Sequence, residues 1–592
     1  MKVNMTILFL MLCLLACKGI GELPSPEPSP DPTSVRLHTV MEMNRSAAVL
    51  NSHQGEELYS VLQPMYGYYQ TIPHDFLTPE APGDQNQAIY PRVKCLVDGS
   101  YIMFYHGGQF GTRVWCSLSS DFKTWSTPQL LFGPRKIIIN DESDTRRFVN
   151  PDAVVLPGGD ILLVCSYRAS SGYNYGLDCG LAFRRSSDNG KSWSEPWLVE
   201  VGPNWEPYML LLPDGRIQCY YTDATPQTRN SGTSVITSED GGLSWSAKKR
   251  VCRLYKYDYW TANNEKSVYN GEKIFTDQMP CFRLLNDGRT LVGWLEDRIE
   301  EPAPIDCAEN KYYSSRYEMS LVYHDGPDWE DLGEETAGPE KRLSRIVHGA
   351  AGYISVFPSG ETVLSCAKDG FMHLRMCNAS VTDFYGGPNW EKESNWLIPF
   401  DGKGFWGATE VVSPAIMAAA IHCDEGMQTG LLYLNHRIDA AHQKVVPDGD
   451  CSEWETDKAF FLGLKGGDEL LLRTATDGEY LYLAADCLEV SSASSTVDLI
   501  LFSERGGKTV KLALKNGISQ VSKDGITTAS RNAVSTSGER GYTAEAAIPL
   551  SLLNVTEGDT LLLYAIFGSG TDRSTFSFSK RTDSSTWQRI KL

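Results

Sequence analysis

The chain has 592 residues, with 74 acidic side chains against 54 basic and a formal net charge of −20. That acidity argues against nucleic acid as a partner, because a polyanion repels a surface of its own sign. The length asks for more than one domain, and the 15 cysteines contain no CxxC pair or His/Cys zinc spacing, so no metal or other cofactor is expected.

Residues 1–17 read as a targeting segment. Lys2 gives the positive start and Thr6 to Leu15 an apolar core, too short to span a bilayer. Its end, Leu14-Leu15-Ala16-Cys17, resembles the bacterial lipobox. The resemblance implies lipidation of Cys17 and an exported protein anchored to a bacterial membrane, at the outer membrane or cell surface. An ordinary secretory signal is the plainer alternative. Prolines alternate over Leu23 to Thr33, which favours extended polyproline II. Residues 18–40 are expected to form a stiff tether.

A turn then recurs. Val97-Asp98-Gly99, Pro157-Gly158-Gly159, Pro213-Asp214-Gly215, Asn286-Asp287-Gly288 and Pro358-Ser359-Gly360 each separate two short apolar runs. The closing glycines lie 60, 56, 73 and 72 residues apart. Such turns are hairpins, since glycine reaches positive φ without steric cost. One hairpin repeated at this period predicts a radial array of sheets, an all-β propeller. The five copies fit a closed ring of five or six blades, and six are expected over residues 41–444.

Between the hairpins, Ser186 to Trp193 and Ser238 to Trp245 share the pattern Ser-x-Asp-x-Gly-x-x-Trp, and Ser119 to Trp125 is a shortened copy. Asp and Ser can bond turn backbone, Gly allows the bend and Trp packs it down. These are structural devices. They resemble the Asp-box of sialidase-type propellers.

A propeller's chemistry sits where its innermost strands meet on the axis. Four segments place acids or phenols there. Glu206 opens an apolar strand between Trp205 and Pro207-Tyr208, where burial would raise its pKa. Glu296 ends an apolar run after the Asn286-Asp287-Gly288 turn and is the natural second carboxylate. Small residues, Gly349-Ala350-Ala351-Gly352, lead into Tyr353 and are expected to leave room for a ligand. Arg92 opens the first hairpin and can clamp a hydroxyl or carboxylate. His106, Asp152, Tyr221, Asp223 and Gln278 complete the substrate-binding candidates. Rim glutamates and core tyrosines are the bland readings of the same residues.

The residues from roughly 60 to 440 resemble the sialidase superfamily of six-bladed glycoside hydrolases. Within it, Trp205 to Arg216 followed by Cys219 to Asp223 is similar to a segment of glycoside hydrolase family 93, the exo-α-1,5-L-arabinanases. Asp277 to Gly288 with Glu296, and Gly352 to Glu361, resemble two further segments of that family. The resemblance implies a retaining exo-hydrolase using Glu206 and Glu296 with Tyr353 nearby. Gln278 departs from the family's glycine before Met-Pro. Glu206 is expected to be the acid/base, in an apolar setting, and Glu296 the nucleophile, kept charged by Arg283 and Arg298. A sialidase is the rival reading, but only Arg92 of its arginine triad is found, and Phe104 to Gly108 carries no acid/base aspartate.

Residues 445–592 lose both repeats and alternate as strands, for example Glu469 to Arg473, Tyr480 to Asp486 and Tyr542 to Leu550. A β-sandwich is expected. The order of Asp448-Gly449-Asp450, Asp477-Gly478-Glu479-Tyr480 and Ala544 to Leu550 resembles carbohydrate-binding module family 9. Trp454 and Trp587 are as readily core as sugar clamp. A polysaccharide or oligosaccharide partner and a monomer are expected. A surface glycan-binding lipoprotein without catalysis is the alternative from another class.

Overall fold

The computed structural model describes residues 35–37, 60–79, 87–108, 111–224, 231–253, 275–301, 314–333, 341–377, 396–454, 459–488, 495–535 and 540–592. Cys17 and the proline run lie outside them.

Six antiparallel sheets follow one another along the chain. Their innermost strands are Ala88–Cys95, Glu142–Val155, Asn204–Leu211, Phe275–Leu284, Ala350–Val356 and Gly404–Ser413. Each innermost strand contacts the next, and the last contacts the first, so the sheets close into a six-bladed propeller. The outermost strand of the sixth blade is Val61–Pro73, from the other end of the propeller segment. Closure therefore joins the two ends of the ring through main-chain hydrogen bonds.

The five recurring turns connect first and second strands of blades one to five. In each, the glycine N–H donates three residues back, to Leu96, Leu156, Leu212, Leu285 and Phe357, with lengths of 2.8–3.0 Å. The glycine φ values are 81°, 91°, 89°, 68° and 115°. The sixth blade turns through Ser413-Pro414-Ala415-Ile416 and has no glycine there, which is why the repeat shows five copies for six blades.

The Asp-box turns join third to fourth strands in blades one to three. The Asp188 carboxylate accepts from Ser186 Oγ at 2.8 Å and Ser192 N at 2.8 Å, and Asp240 repeats this with Ser238 and Ser244. Trp193 meets Phe104 and Trp245 meets Phe183 of the preceding blade. A Cβ at Gly242 would stand 2.3 Å from Leu162 Cδ2, also of the preceding blade. Asp188→Ala and Asp240→Ala are accordingly expected to lower the melting temperature and leave the pH–rate profile unchanged. The hydrogen bonds from Ser192 and Ser186 hold Asp188 down at about 2. Its contribution to stability is thus present above the ordinary carboxylate range and lost as the pH falls through about 2. Thermal melts at neutral and acid pH check this; a large loss of kcat at unaltered stability would reassign the turns to the chemistry.

The C-terminal strands form two sheets, of seven and six strands, around a shared apolar core that includes Phe460, Leu472, Leu499, Leu563 and Phe567. Val35–Leu37 adds to the larger sheet, parallel to Ile526–Ser535. Trp454 and Trp587 are both buried; their indole N–H groups donate to Glu545 and to the Lys580 carbonyl. Asn435, at the end of a blade-six strand, exchanges two hydrogen bonds with the Phe461 backbone, and Gln63 accepts from Ser577 N.

Candidate active site

Every innermost strand is broken by a bulge, and every bulge holds a non-glycine residue in the left-handed region. These are Tyr90 (φ 63°), Asn150 (51°), Glu206 (51°), Met279 (48°), Ala351 (52°) and Trp406 (54°). Each such residue costs on the order of 1–3 kcal/mol, so surrounding contacts must impose it. In three of the six they do so from the second strand of the preceding blade. Asn150 N donates to His106 Nδ1 at 3.1 Å, Met279 N to Thr222 Oγ1 at 2.9 Å, and Ala351 N to Glu296 Oε2. Just past the Glu206 bulge, Met209 N donates to Asp152 Oδ2 at 2.8 Å.

Two residues beyond the bulges come Arg92, Asp152, Tyr208 and Tyr353; two further come Lys94, Arg283 and Glu410. Lys94 pairs with Asp152 at 3.2 Å and Glu410 at 3.4 Å, and Arg283 pairs with Glu410 at 3.1 Å and donates to Tyr208 Oη. The Arg92 guanidinium lies 3.7 Å from the Tyr90 ring centre and 5.0 Å from that of Tyr353. This network closes the axis beneath the bulges. Beyond it, at the hairpin-turn end, lies a cavity of about 610 Å³ bordered by Lys94, Arg283 and Glu410. Neither Glu206 nor Glu296 lines it.

The two glutamates approach one another from adjacent blades. Glu206 sits on its own bulge, half-buried, and accepts from Thr222 Oγ1 at 2.7 Å. Burial raises its pKa; Thr222, the Met279 N–H and the charges of Arg168 and Arg92 oppose the rise. Glu296 is 3% exposed. It lies within the strand Thr290–Glu301 rather than at its end, paired in register with Gln278. Burial first, then the Glu206 charge, push it up to about 8, against the donors Ala351 N and Gln278 Nε2. Arg283, expected to keep Glu296 charged, is engaged by Tyr208 and Glu410 instead. The Arg298 side chain is not among the described groups.

Gln278 Nε2 donates to Glu296 and the Arg92 charge acts on Glu206, while Tyr353, Asp152 and His106 gather around Arg92. His106 stacks with Tyr90 at 5.9 Å and is held neutral, at about 3, by burial and by Arg168. The Tyr353 hydroxyl is buried without a hydrogen-bond partner, and burial holds the phenol well above its ordinary pKa. The small residues before it do not make room for a ligand. A Cβ at Gly352 would lie 2.2 Å from Trp294 Nε1 and 2.3 Å from Met319 Cε. Tyr221 and Asp223 are not brought to the pair. Tyr221 packs among Leu162, Leu181, Phe183 and Met209 between blades two and three, and Asp223 accepts from Ser234 Oγ at 2.7 Å and pairs with Lys248 at 3.1 Å.

Sequence reasoning missed Tyr90, Asn150, Trp406, Thr222 and Arg168. Arg168 lies flat on Trp205, 3.4 Å from the ring centre. Its only signal was a buried-type strand ending in a cation.

No protein-family model matches the chain, and no curated protein matches it. Among solved structures it is similar to the family 93 α-L-arabinofuranosidase of Fusarium graminearum in complex with arabinobiose, at 14% identity over 62% of this chain and 98% of that one, with a TM-score of 0.42. It is similar to the α-L-arabinanase of Penicillium chrysogenum complexed with arabinobiose, at 15% identity over 63% and 98%, with a TM-score of 0.39. It is also similar to the intramolecular trans-sialidase of Ruminococcus gnavus, at 9% identity over 60% and 96%, with a TM-score of 0.38.

Proposed function

We propose that the chain is a retaining, exo-acting glycoside hydrolase whose catalytic pair is Glu206 and Glu296. The observation that carries this reading is a pair of interacting axial carboxyls in unlike settings. Such pairs divide acid and nucleophile between them. Glu296, buried and beside no described cation, holds the proton near neutral pH and acts as acid/base. Glu206, with Thr222 donating to it and Arg168 and Arg92 nearby, is the ionised nucleophile. This order is the reverse of the one expected from sequence. In the first step Glu206 attacks the anomeric carbon while Glu296 protonates the departing glycosidic oxygen; in the second, Glu296 takes a proton from the attacking water.

The ion-paired floor formed by Lys94, Asp152, Arg283 and Glu410 supports exo action, since a blind site takes a chain end. An α-L-arabinofuranosyl unit is the preferred substrate. A sialoside is the second reading, favoured by Arg168 as a second buried guanidinium beside Arg92. Against a tyrosine nucleophile stands the Tyr353 hydroxyl, which has no hydrogen-bond partner to activate it. Lipidation of Cys17 would hold the enzyme at a bacterial membrane, with the C-terminal sandwich as a bracing or sugar-binding module. Hydrolysis of an aryl α-L-arabinofuranoside, arabinan and an aryl sialoside, with the first-formed anomer followed by NMR, tests the reading. Release of a retained arabinose is expected; inactivity on all glycosides would refute it.

A further inference from the structure

The ring of six bulges has two unlike arcs. Tyr90, Met279, Ala351 and Trp406, from blades one, four, five and six, belong to one apolar cluster. Asn150 and Glu206, from blades two and three, are polar. In a six-bladed ring Trp406 stands opposite Glu206, with Asn150 beside the glutamate. Building on the glycan reading above, we propose that Trp406 is the platform on which the glycosyl unit stacks, and that Asn150 holds one of its hydroxyls.

Four observations carry this. Trp406 adopts a φ of 54°, a conformation foreign to a bulky side chain and concentrated at ligand clamps. Its indole stacks on the His422 imidazole at 5.3 Å and 21° between planes, so the ring is supported, yet the residue remains half-exposed. Burial keeps His422 neutral, at about 4, so the support is an uncharged ring across the neutral range. Asn150 is 7% exposed, and its Oδ1 is buried with no hydrogen-bond partner, while its N–H is committed to His106. An unpaired buried acceptor is costly unless a donor arrives, and a sugar hydroxyl is such a donor. A sugar ring has one face of C–H groups and an edge of hydroxyls, which matches an apolar arc facing a polar one.

The test uses the full chain carrying Glu206→Gln, so that probes are not consumed. Arabinobiose, sialyllactose, xylobiose and lactose are titrated calorimetrically and by tryptophan emission, before and after adding Trp406→Ala, Trp406→Phe or Asn150→Ala. For the probe that binds, Trp406→Ala and Asn150→Ala are expected to weaken affinity about tenfold or more, and Trp406→Phe by less. Should Trp406→Ala lose its cooperative melt, Trp406→Phe decides: the ligand-induced change in tryptophan emission must vanish in it. Unchanged affinity in both the Trp406 and Asn150 variants, with a probe still bound, overturns this proposal and leaves the glycan reading standing. If no probe binds and the unmutated chain cleaves none, the glycan reading itself fails and this one with it.

Discussion

Azide is expected to rescue Glu296→Ala on an activated aryl glycoside with a glycosyl azide of retained configuration, and Glu206→Ala with one of inverted configuration. Without its acid/base, the enzyme still forms the glycosyl-enzyme from a good leaving group, and azide then enters from the face that water would use. Without its nucleophile, azide occupies the vacated space and attacks directly. Loss of the acid/base is expected to lower kcat by about 10²–10⁴-fold on a substrate with a poor leaving group, and loss of the nucleophile by more. The assignment rests on surroundings. Glu296 is 3% exposed and receives only neutral donors, Gln278 Nε2 and Ala351 N. Glu206 has the charges of Arg168 and Arg92 acting on it. The opposite pair of configurations would restore the order first read from sequence, and full activity in both variants would remove the pair from the mechanism.

How far the sequence carried this is decided by strand register. Five blades were legible because their turns need glycine; the sixth was not, because Ser413-Pro414-Ala415 makes the same bend without one and its outermost strand, Val61–Pro73, comes from far upstream. The strands of Glu206 and Glu296 were legible as apolar runs flanking those turns. The direction of individual side chains was not. Along a strand, neighbours face opposite sides. Thr222 Oγ1 reaches Glu206, so Tyr221 and Asp223, either side of it, face away into packing and into an ion pair. The bulges hide the rest. One extra residue shifts every later side chain to the other face, and nothing in Tyr90, Asn150 or Trp406 as letters marks a left-handed conformation. Glu296 shows the same limit from the other side. As a letter it is a catalytic candidate, but His106 and Thr222 hold the equivalent place in their blades and cap the next bulge in the same way. The proposed mechanism thus asks the carboxylate to serve the fold and the chemistry from one position.

That double service predicts a conflict between stability and activity. Glu296→Gln is expected to abolish turnover and yet to melt at a higher temperature than the unmutated chain above neutral pH. An unfolded glutamate titrates near about 4.3, whereas burial and the Glu206 charge push Glu296 up to about 8 in the fold. Between those values the folded chain binds a proton that the unfolded chain has released. The protonated carboxyl's contribution is therefore fully present below the unfolded pKa and is lost as the pH rises through about 8. The sign is opposite to that of Asp188, whose carboxyl is depressed. A glutamine amide keeps an oxygen for the Ala351 N–H and never ionises, so the variant escapes the loss. Its advantage should be near zero at pH 4 and grow to a few kcal/mol by pH 9, following the shift between the two pKa values. Calorimetric melts across that range read it directly. The same proton sets the basic limb of kcat/KM in the active enzyme, which should fall near pH 8, because an ionised Glu296 cannot protonate the leaving oxygen. Parallel melting curves for the two proteins across the range, or a basic limb far from the pH at which the curves diverge, would show that the proton held in the fold is not the one used in the reaction.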